Sequence, residues 1–419
     1  MKSAFLIAWR GLWRGKTLWA LLAAVFASHF LLSDIVRSDG TDAGAFEMTV
    51  RVVCGAVAAI VYVSALAIGG GMFAKEREDD LLPLSLVRPT SAFSVAFGRW
   101  LAIVLLFACV VFANAVLLSA VPQKGLPARP DCRVHISPAL PPAEVSAAKA
   151  MEAFLKDEKT PEAVKKSPRA AILSLLTAKE NERYEIVRPG QTVSWPFMCE
   201  GTVPVSAKVR FSTMYGLKMA MSGVFTFGNM SGSVSNSTQS VLEVPLAAGA
   251  GVGSNAVGVL SFANTGKTDV MLRPRKDIEL LAPGDSFLAN SVRASVEILA
   301  LSGLLAAFGL FLSAALSRPV ALFTAAVLLA AAMMAPDAVA EFPDEFNATF
   351  GEKAGLAISR AVMFFTSAVS GPSPVSDLAT GKAIAARDVV RAVVSNLALF
   401  PAVLLALTGF LLRRKTKQR

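Results

Sequence analysis

Read along the chain, hydrophobic and polar positions separate into long apolar runs and one central polar block. Six runs approach the roughly 20 apolar residues that a membrane-crossing helix needs: 17–32, 50–73, 100–121, 294–315, 319–335 and 393–412. The first and fifth are the shortest. A seventh run, 355–369, is interrupted by Arg360 and reads as a re-entrant or interfacial helix. Residues 3–14 precede the first run and mix Trp9 and Trp13 with Arg10 and Arg14. That pattern predicts an amphipathic helix lying on the membrane surface. The basic region of a signal peptide is shorter and lacks tryptophan.

The polar block spans 122–287. Residues 142–182 are rich in Ala, Glu and Lys, and Pro142, Pro161 and Pro168 punctuate them. Proline suits a helix first turn and ends the helix before it, so two or three short helices are predicted. From residue 184 the pattern becomes short alternating runs bounded by Gly, Pro, Asn and Ser. Eight strands are predicted at 184–187, 192–197, 206–211, 223–227, 240–244, 256–262, 269–273 and 278–281. Their spacing suggests an antiparallel β-sandwich over 184–282. The expected fold class is an α-helical polytopic membrane protein with six transmembrane helices and an inserted extracytoplasmic α+β domain. Its parts are an N-terminal membrane half (1–121), the extracytoplasmic domain (122–287) and a C-terminal membrane half (288–419).

Composition sharpens this picture. Charged residues make up 17% of the chain and hydrophobic ones 54%. Soluble chains carry about 25% charged residues, so a wholly water-soluble protein is excluded. The net charge of +10 gains meaning from its placement. Lys2, Arg10, Arg14 and Lys16 precede the first run, and Arg413, Arg414, Lys415, Lys417 and Arg419 follow the last. Lys75, Arg77, Arg88, Arg99 and Arg318 lie between runs. With six spans all of these fall on one side, and the loops on the other side lean acidic. The rule that basic loops stay inside then puts both termini in the cytoplasm and 122–287 outside. A multi-pass protein of the cell inner (plasma) membrane is expected, and the surplus charge calls for no nucleic-acid partner.

Candidate chemistry is sparse. Ser261–Thr268 resembles a phosphate-binding loop, but Ser261 stands where the first glycine belongs and a strand-like run follows instead of a helix N-terminus. His29 and His135 are the only histidines, and no cluster has metal-ligand spacing. No nucleophile elbow accompanies either. No catalytic residue, metal or cofactor is therefore expected, and the chain is not expected to be an enzyme. Cys54 and Cys109 lie in apolar runs as small filler. Cys132 and Cys199 are the two cysteines of the polar block; they form either a disulfide, worth about 4 kcal/mol, or two unrelated thiols. Glu47 with Arg51, and Arg293 with Glu297, are spaced four apart and can pair on one helix face.

One segment stands out, 75–97 between the second and third runs. Lys75-Glu76-Arg77-Glu78-Asp79-Asp80 gives way to Leu82, Leu84 and Leu86, then Pro89, then Gly98-Arg99 where the next run opens. A short cytoplasmic helix with charged and apolar faces, joined rigidly to two spans, suits transmission of force from a soluble partner.

This segment resembles the membrane-spanning permease subunits of ATP-binding-cassette (ABC) exporters of the second type. Their signature there is Glu-Arg-Glu, two residues, Leu-rich positions, a proline, and Gly-Lys or Gly-Arg at the following span. Glu76, Arg77, Glu78, Leu82, Leu84, Leu86, Pro89, Gly98 and Arg99 match. Asp80 and Leu81 depart from it, the family commonly having Gly-Thr. Ala8-Trp9-Arg10 with Arg14 looks like the family's beginning, and Pro374–Ile384 with Arg413-Arg414-Lys415 looks like its ending. The likeness covers 1–121 and 288–419. It implies pairing with a similar or identical permease and with two cytosolic ABC ATPase subunits that bind ATP, and docking of the segment in a groove on the ATPase. The runner-up reading is a membrane-anchored binding or assembly protein whose permease-like spans transmit force to the extracytoplasmic domain without transport.

Overall fold

The structure, a computed structural model, describes residues 2–32, 42–78, 91–120, 132–156, 169–199, 203–212, 219–237, 241–246, 257–327 and 373–417. In chain order the first helices are α1 (Lys2–Arg14), α2 (Thr17–Ala27, continued by a π-helical turn Ser28–Leu32), α3 (Asp42–Glu78) and α4 (Ala92–Ala120). Then follow β1 (Arg133–Ile136), α5 (Ala143–Lys156), α6 (Arg169–Asn181), β2 (Glu185–Val187), β3 (Thr192–Met198), β4 (Ser206–Arg210) and β5 (Ala220–Phe227). Next come β6 (Met230–Ser237), β7 (Val241–Pro245), β8 (Val257–Asn264), β9 (Val270–Leu272) and β10 (Ile278–Pro283). The chain continues with α7 (Phe287–Ala315), α8 (Arg318–Val327), α9 (Pro374–Ala379), α10 (Ala386–Ala392), a π-helical turn Val393–Leu399, and α11 (Phe400–Lys417). Two compact units result: Cys132–Gly284 forms one, and the described residues on either side of it form the other.

Among the described residues the helical unit holds four helices long and apolar enough to cross a membrane: Phe46–Ala74, Ala92–Ser119, Phe287–Ala315 and Ala386–Arg414. α1 and α2 with its π turn form a pair bent by 54° that makes a fifth if counted as one span. The protein is thus mostly helical and membrane-embedded, with a separate β region. Of the expected fifth run, the described part is helical as far as Val327. Run 355–369 lies outside the described residues.

α7 is the central helix. Within its apolar window 72% is buried by the fold, against 22% for Ala386–Arg414, which therefore lies at the rim. α3 packs along α7 more extensively than any other described pair. Lipid gives apolar helices little hydrophobic reason to associate, so close packing of small residues does the work. A Cβ on Gly309 would lie 2.7 Å from the Leu66 carbonyl oxygen and 2.8 Å from the Gly70 nitrogen. One on Gly69 would lie 2.6 Å from the Ala306 carbonyl oxygen. Only glycine lets these two backbones touch.

A polar clasp holds the segment after α9. The fully buried Asn290 of α7 donates from Nδ2 to the Lys382 carbonyl at 2.8 Å and accepts the Ile384 N–H on Oδ1 at 2.8 Å. It pairs with the chain as a neighbouring strand would. Arg293 adds a bond to the Ile384 carbonyl at 3.2 Å and an ion pair with Asp285 at 2.5 Å. The expected Arg293–Glu297 partnership is not what forms, because Asp285 and the Ile384 carbonyl take the guanidinium. Glu47 and Arg51 do pair, at 2.7 Å.

In the second unit two four-stranded antiparallel sheets, β1-β10-β4-β7 and β3-β8-β5-β6, accompany a two-stranded β2-β9 pair. Alternate positions of all three feed one apolar core around Phe211, Phe225 and Phe262, whose ring centroids lie 4.7–6.1 Å apart. Each of the eight expected strands is present. β1 and β6 are additional. β6 (Met-Ser-Gly-Ser-Val-Ser-Asn-Ser) is nearly all polar, and register makes it a strand. Phe227 pairs with Met230 across Gly228-Asn229, with Gly228 at φ 57°, the positive value a type II′ hairpin turn needs. α5 and α6 pack on each other through Ala147, Ile172 and Leu176. Beyond α6, Glu182 holds Lys276 and Arg273, the latter at 2.7 Å, while Asp277 takes Arg273 in two bonds at 2.9 and 3.0 Å.

Two predictions follow from this packing. Gly309→Val forces backbones apart and should cost about 1–3 kcal/mol. Gly11→Ala, where a Cβ meets nothing within 4 Å, should be neutral or stabilise by about 0.5–1 kcal/mol. Thermal unfolding of the detergent-solubilised chain reads both. Second, Lys276 and then Arg273 hold the Glu182 carboxyl below its ordinary 4.5. A depressed carboxyl contributes stability fully above the unfolded value, and loses it as pH falls through the folded one. The difference in unfolding midpoint between the natural chain and Glu182→Gln should therefore be constant near neutrality and shrink below about pH 4.5.

Candidate functional site

The expected force-transmitting segment begins where α3 leaves its apolar stretch. α3 does not end at Ala74 but stays helical through Lys75, Glu76, Arg77 and Glu78. α4 starts after Ser91, whose hydroxyl accepts the Ser94 N–H at 3.2 Å as a cap. Between these ends lie residues 79–90. They carry Leu82, Leu84, Leu86 and Pro89 and lie outside the described residues, as do the side chains of Lys75 and Arg77.

The two helix ends are joined by a partly buried ion pair. Arg99 donates from Nη2 to Glu76 Oε2 at 2.6 Å, across 23 positions of sequence. Its guanidinium lies over the Phe73 ring, 4.3 Å from the centroid. Phe73 precedes Glu76 by three residues, so ring and carboxylate share one face of α3. The Arg99 side chain is 6% exposed and that of Glu76 26%. Nη1 has no hydrogen-bond partner among the described residues. Gly98 is buried beside Arg99, and Glu78 is exposed. Trp100, next in line, donates from Nε1 to the Gly303 carbonyl at 2.8 Å and ties α4 to α7.

Sequence reading marked the acidic Glu76 and Glu78 as a pair of equals. Geometry separates them: Glu76 is a structural partner and Glu78 faces outward. Phe73, Trp100 and Asn290 were not singled out. One signal was available, since Arg99 is the only charged residue in α4.

The remaining candidates are quieter. Cys132 and Cys199 are both buried and both thiols, so the disulfide of the two open readings is not formed. Burial pushes the Cys199 thiol pKa up, away from reactive thiolate. Cys54 is buried and Cys109 exposed. The glycine-containing stretch Ser261–Thr268 runs from β8 into a tight turn before β9. Asn264 closes it with Nδ2 on the Val187 and Thr268 carbonyls, both at 2.9 Å, and accepts the Gly266 N–H at 3.0 Å. That side chain occupies the backbone donor a phosphate would use. His29 bonds Asn114 at 2.9 Å between α2 and α4, and His135 bonds Glu279 at 2.7 Å between β1 and β10. Among the described residues no three His, Cys, Asp or Glu converge as a metal-ligand set. What the arrangement offers at Glu76 and Arg99 is a mechanical strut, with no reacting group in it.

No protein-family model matches the chain, and neither a curated protein nor a solved structure matches it.

Removing Glu76 leaves an uncompensated buried cation, a loss of about 3–5 kcal/mol. Glu76→Ala should lower the unfolding midpoint sharply, while Glu78→Ala, at an exposed position, should change stability by no more than about 0.5 kcal/mol. Arg99→Lys keeps charge but loses the planar contact with Phe73, and should fall between the two. Equal effects of Glu76→Ala and Glu78→Ala would remove the strut from consideration.

Proposed function

We propose that this chain is the permease subunit of an ABC exporter of the second type. It works with a second, similar or identical permease and with two cytosolic ATPases, which bind and hydrolyse ATP. The chain itself moves substrate and is not an enzyme. On this reading it has six spans, with 17–32 as the first and 319–335 as the fifth. Both termini are cytoplasmic, and 122–287 is extracytoplasmic with its two large sheets packed as a sandwich.

The observation that carries the reading is the Glu76–Arg99 pair. A segment that receives a push from a soluble motor transmits it only if its ends are fixed to the helices that must move. Here the last turn of α3 and the second turn of α4 are locked to each other by a charge-assisted bond and an aromatic contact. In sequence, residues 79–90 connect these two joined ends. The order of the matching stretches along the chain adds support. So does the turn at Asn264, whose side chain takes the Gly266 N–H that a bound phosphate would need.

Purification of the full chain from its native membrane tests the reading. An ATPase bearing a nucleotide-binding loop should co-purify and hydrolyse ATP. Glu78→Lys combined with Leu84→Asp should reduce its recovery at least about tenfold, a loss of about 1.4 kcal/mol, with an unchanged unfolding midpoint. Recovery without any such ATPase, or recovery insensitive to the double substitution, overturns the docking proposal.

A further inference from the structure

α1 presents two different faces. Ala8 and Leu12, one turn apart, are buried in the helical core, and the helix packs on α4. The opposite side carries Leu6, Ile7 and Trp13, 37%, 58% and 47% exposed. Lys2, Arg10, Arg14 and Lys16 are exposed as well. Among the described residues none of these four cations forms an ion pair, and no acid precedes Asp34 in the sequence. Arg10 and Arg14 are one turn apart on one side of the helix, about 6 Å along it.

The chain then bends by 54° into α2. Lys16 makes the corner at φ 59°, a left-handed conformation uncommon for a residue with a side chain. Trp13 and Trp19 meet edge to face across the corner, 5.6 Å between centroids, and continue a ring series with Trp9 and Phe5. Exposed tryptophans with lysine and arginine beside them, at the point where a surface helix turns into an apolar one, match the chemistry of the headgroup layer. Neutral headgroups offer these four cations no net counter-charge. Anionic ones complement them.

We propose that the exposed face of α1 and the corner after it are a docking surface for anionic phospholipid headgroups. Arg10, Arg14 and Lys16 take the lipid's negative charge, and Trp13 and Trp19 lie against the upper acyl chains. The surface needs only a chain embedded in a membrane, so it stands or falls apart from the exporter reading.

Quenching of tryptophan emission by brominated phosphatidylglycerol, against brominated phosphatidylcholine, tests it on the full chain in detergent micelles. Phosphatidylglycerol should quench at lower concentration. Each cation near an anionic surface contributes about fivefold in affinity, so Arg10→Gln with Arg14→Gln should erase roughly 25-fold of that preference. Equal quenching by the two lipids, or a preference intact in the double variant, overturns the proposal. If the variant does not fold, the unsubstituted chain decides. Its preference should vanish in about 1 M salt, where screening acts within about 3 Å, and a preference that survives there overturns it equally.

Discussion

A guanidinium buried in a pack of apolar helices has to be answered by the protein, because taking its charge out of water is costly. Arg99 is that group. It is the only charge along α4, so its position decides how α4 sits against α3. The Glu76 carboxylate and the Phe73 ring must both reach it, which fixes rotation and height together. The next residue, Trp100, passes the constraint to α7 through the Gly303 carbonyl. α7 is in turn set against α3 by Gly69 and Gly309. Three helices are thus registered in a closed loop of contacts, and sliding one of them by a turn would break several at once.

The same economy governs the polar atoms elsewhere in the helical unit. Asn290 uses both ends of its amide to hold 382–384, and Ser295 donates to the Val111 carbonyl of α4 at 3.3 Å. Such bonds are worth little more than those in water, but the directional ones specify an arrangement that apolar contact alone leaves loose. These contacts tie α3 and α4 to each other and to α7. A tie of that kind is what the proposed coupling to a motor requires.

Much of this was legible beforehand, and what escaped shares a cause. Apolar runs of 20 or more residues declare membrane helices because the pattern is set by the lipid, a simple solvent. The eight alternating strands were legible because burial on one face imposes a period of two. β6 escaped because its Ser, Gly and Asn residues carry no such period; only the Gly228-Asn229 turn signalled it. Arg293 was assigned to Glu297 by spacing along one helix. Its real partners, Asp285 and the Ile384 carbonyl, come from segments that meet it only in the folded chain. At the candidate site the cluster Glu76-Arg77-Glu78 was visible. Which carboxylate faced inward was not, since that depends on Arg99 sitting 23 residues away.

The departure of this chain from the permease signature at Asp80 and Leu81 takes on a different weight once the strut is in view. Those positions fall within 79–90, between the anchored ends and not at them. On the proposed reading, the parts that cannot vary are the ones that close the loop: a carboxylate and a ring three residues apart on α3, and a planar cation on α4. An arginine serves there better than a lysine, because its flat, delocalised charge satisfies the carboxylate at its edge and the ring at its face together. Asp80 and Leu81 take no part in that loop of contacts. On the proposed reading, a change there bears on recognition of the partner and leaves the Glu76–Arg99 connection intact.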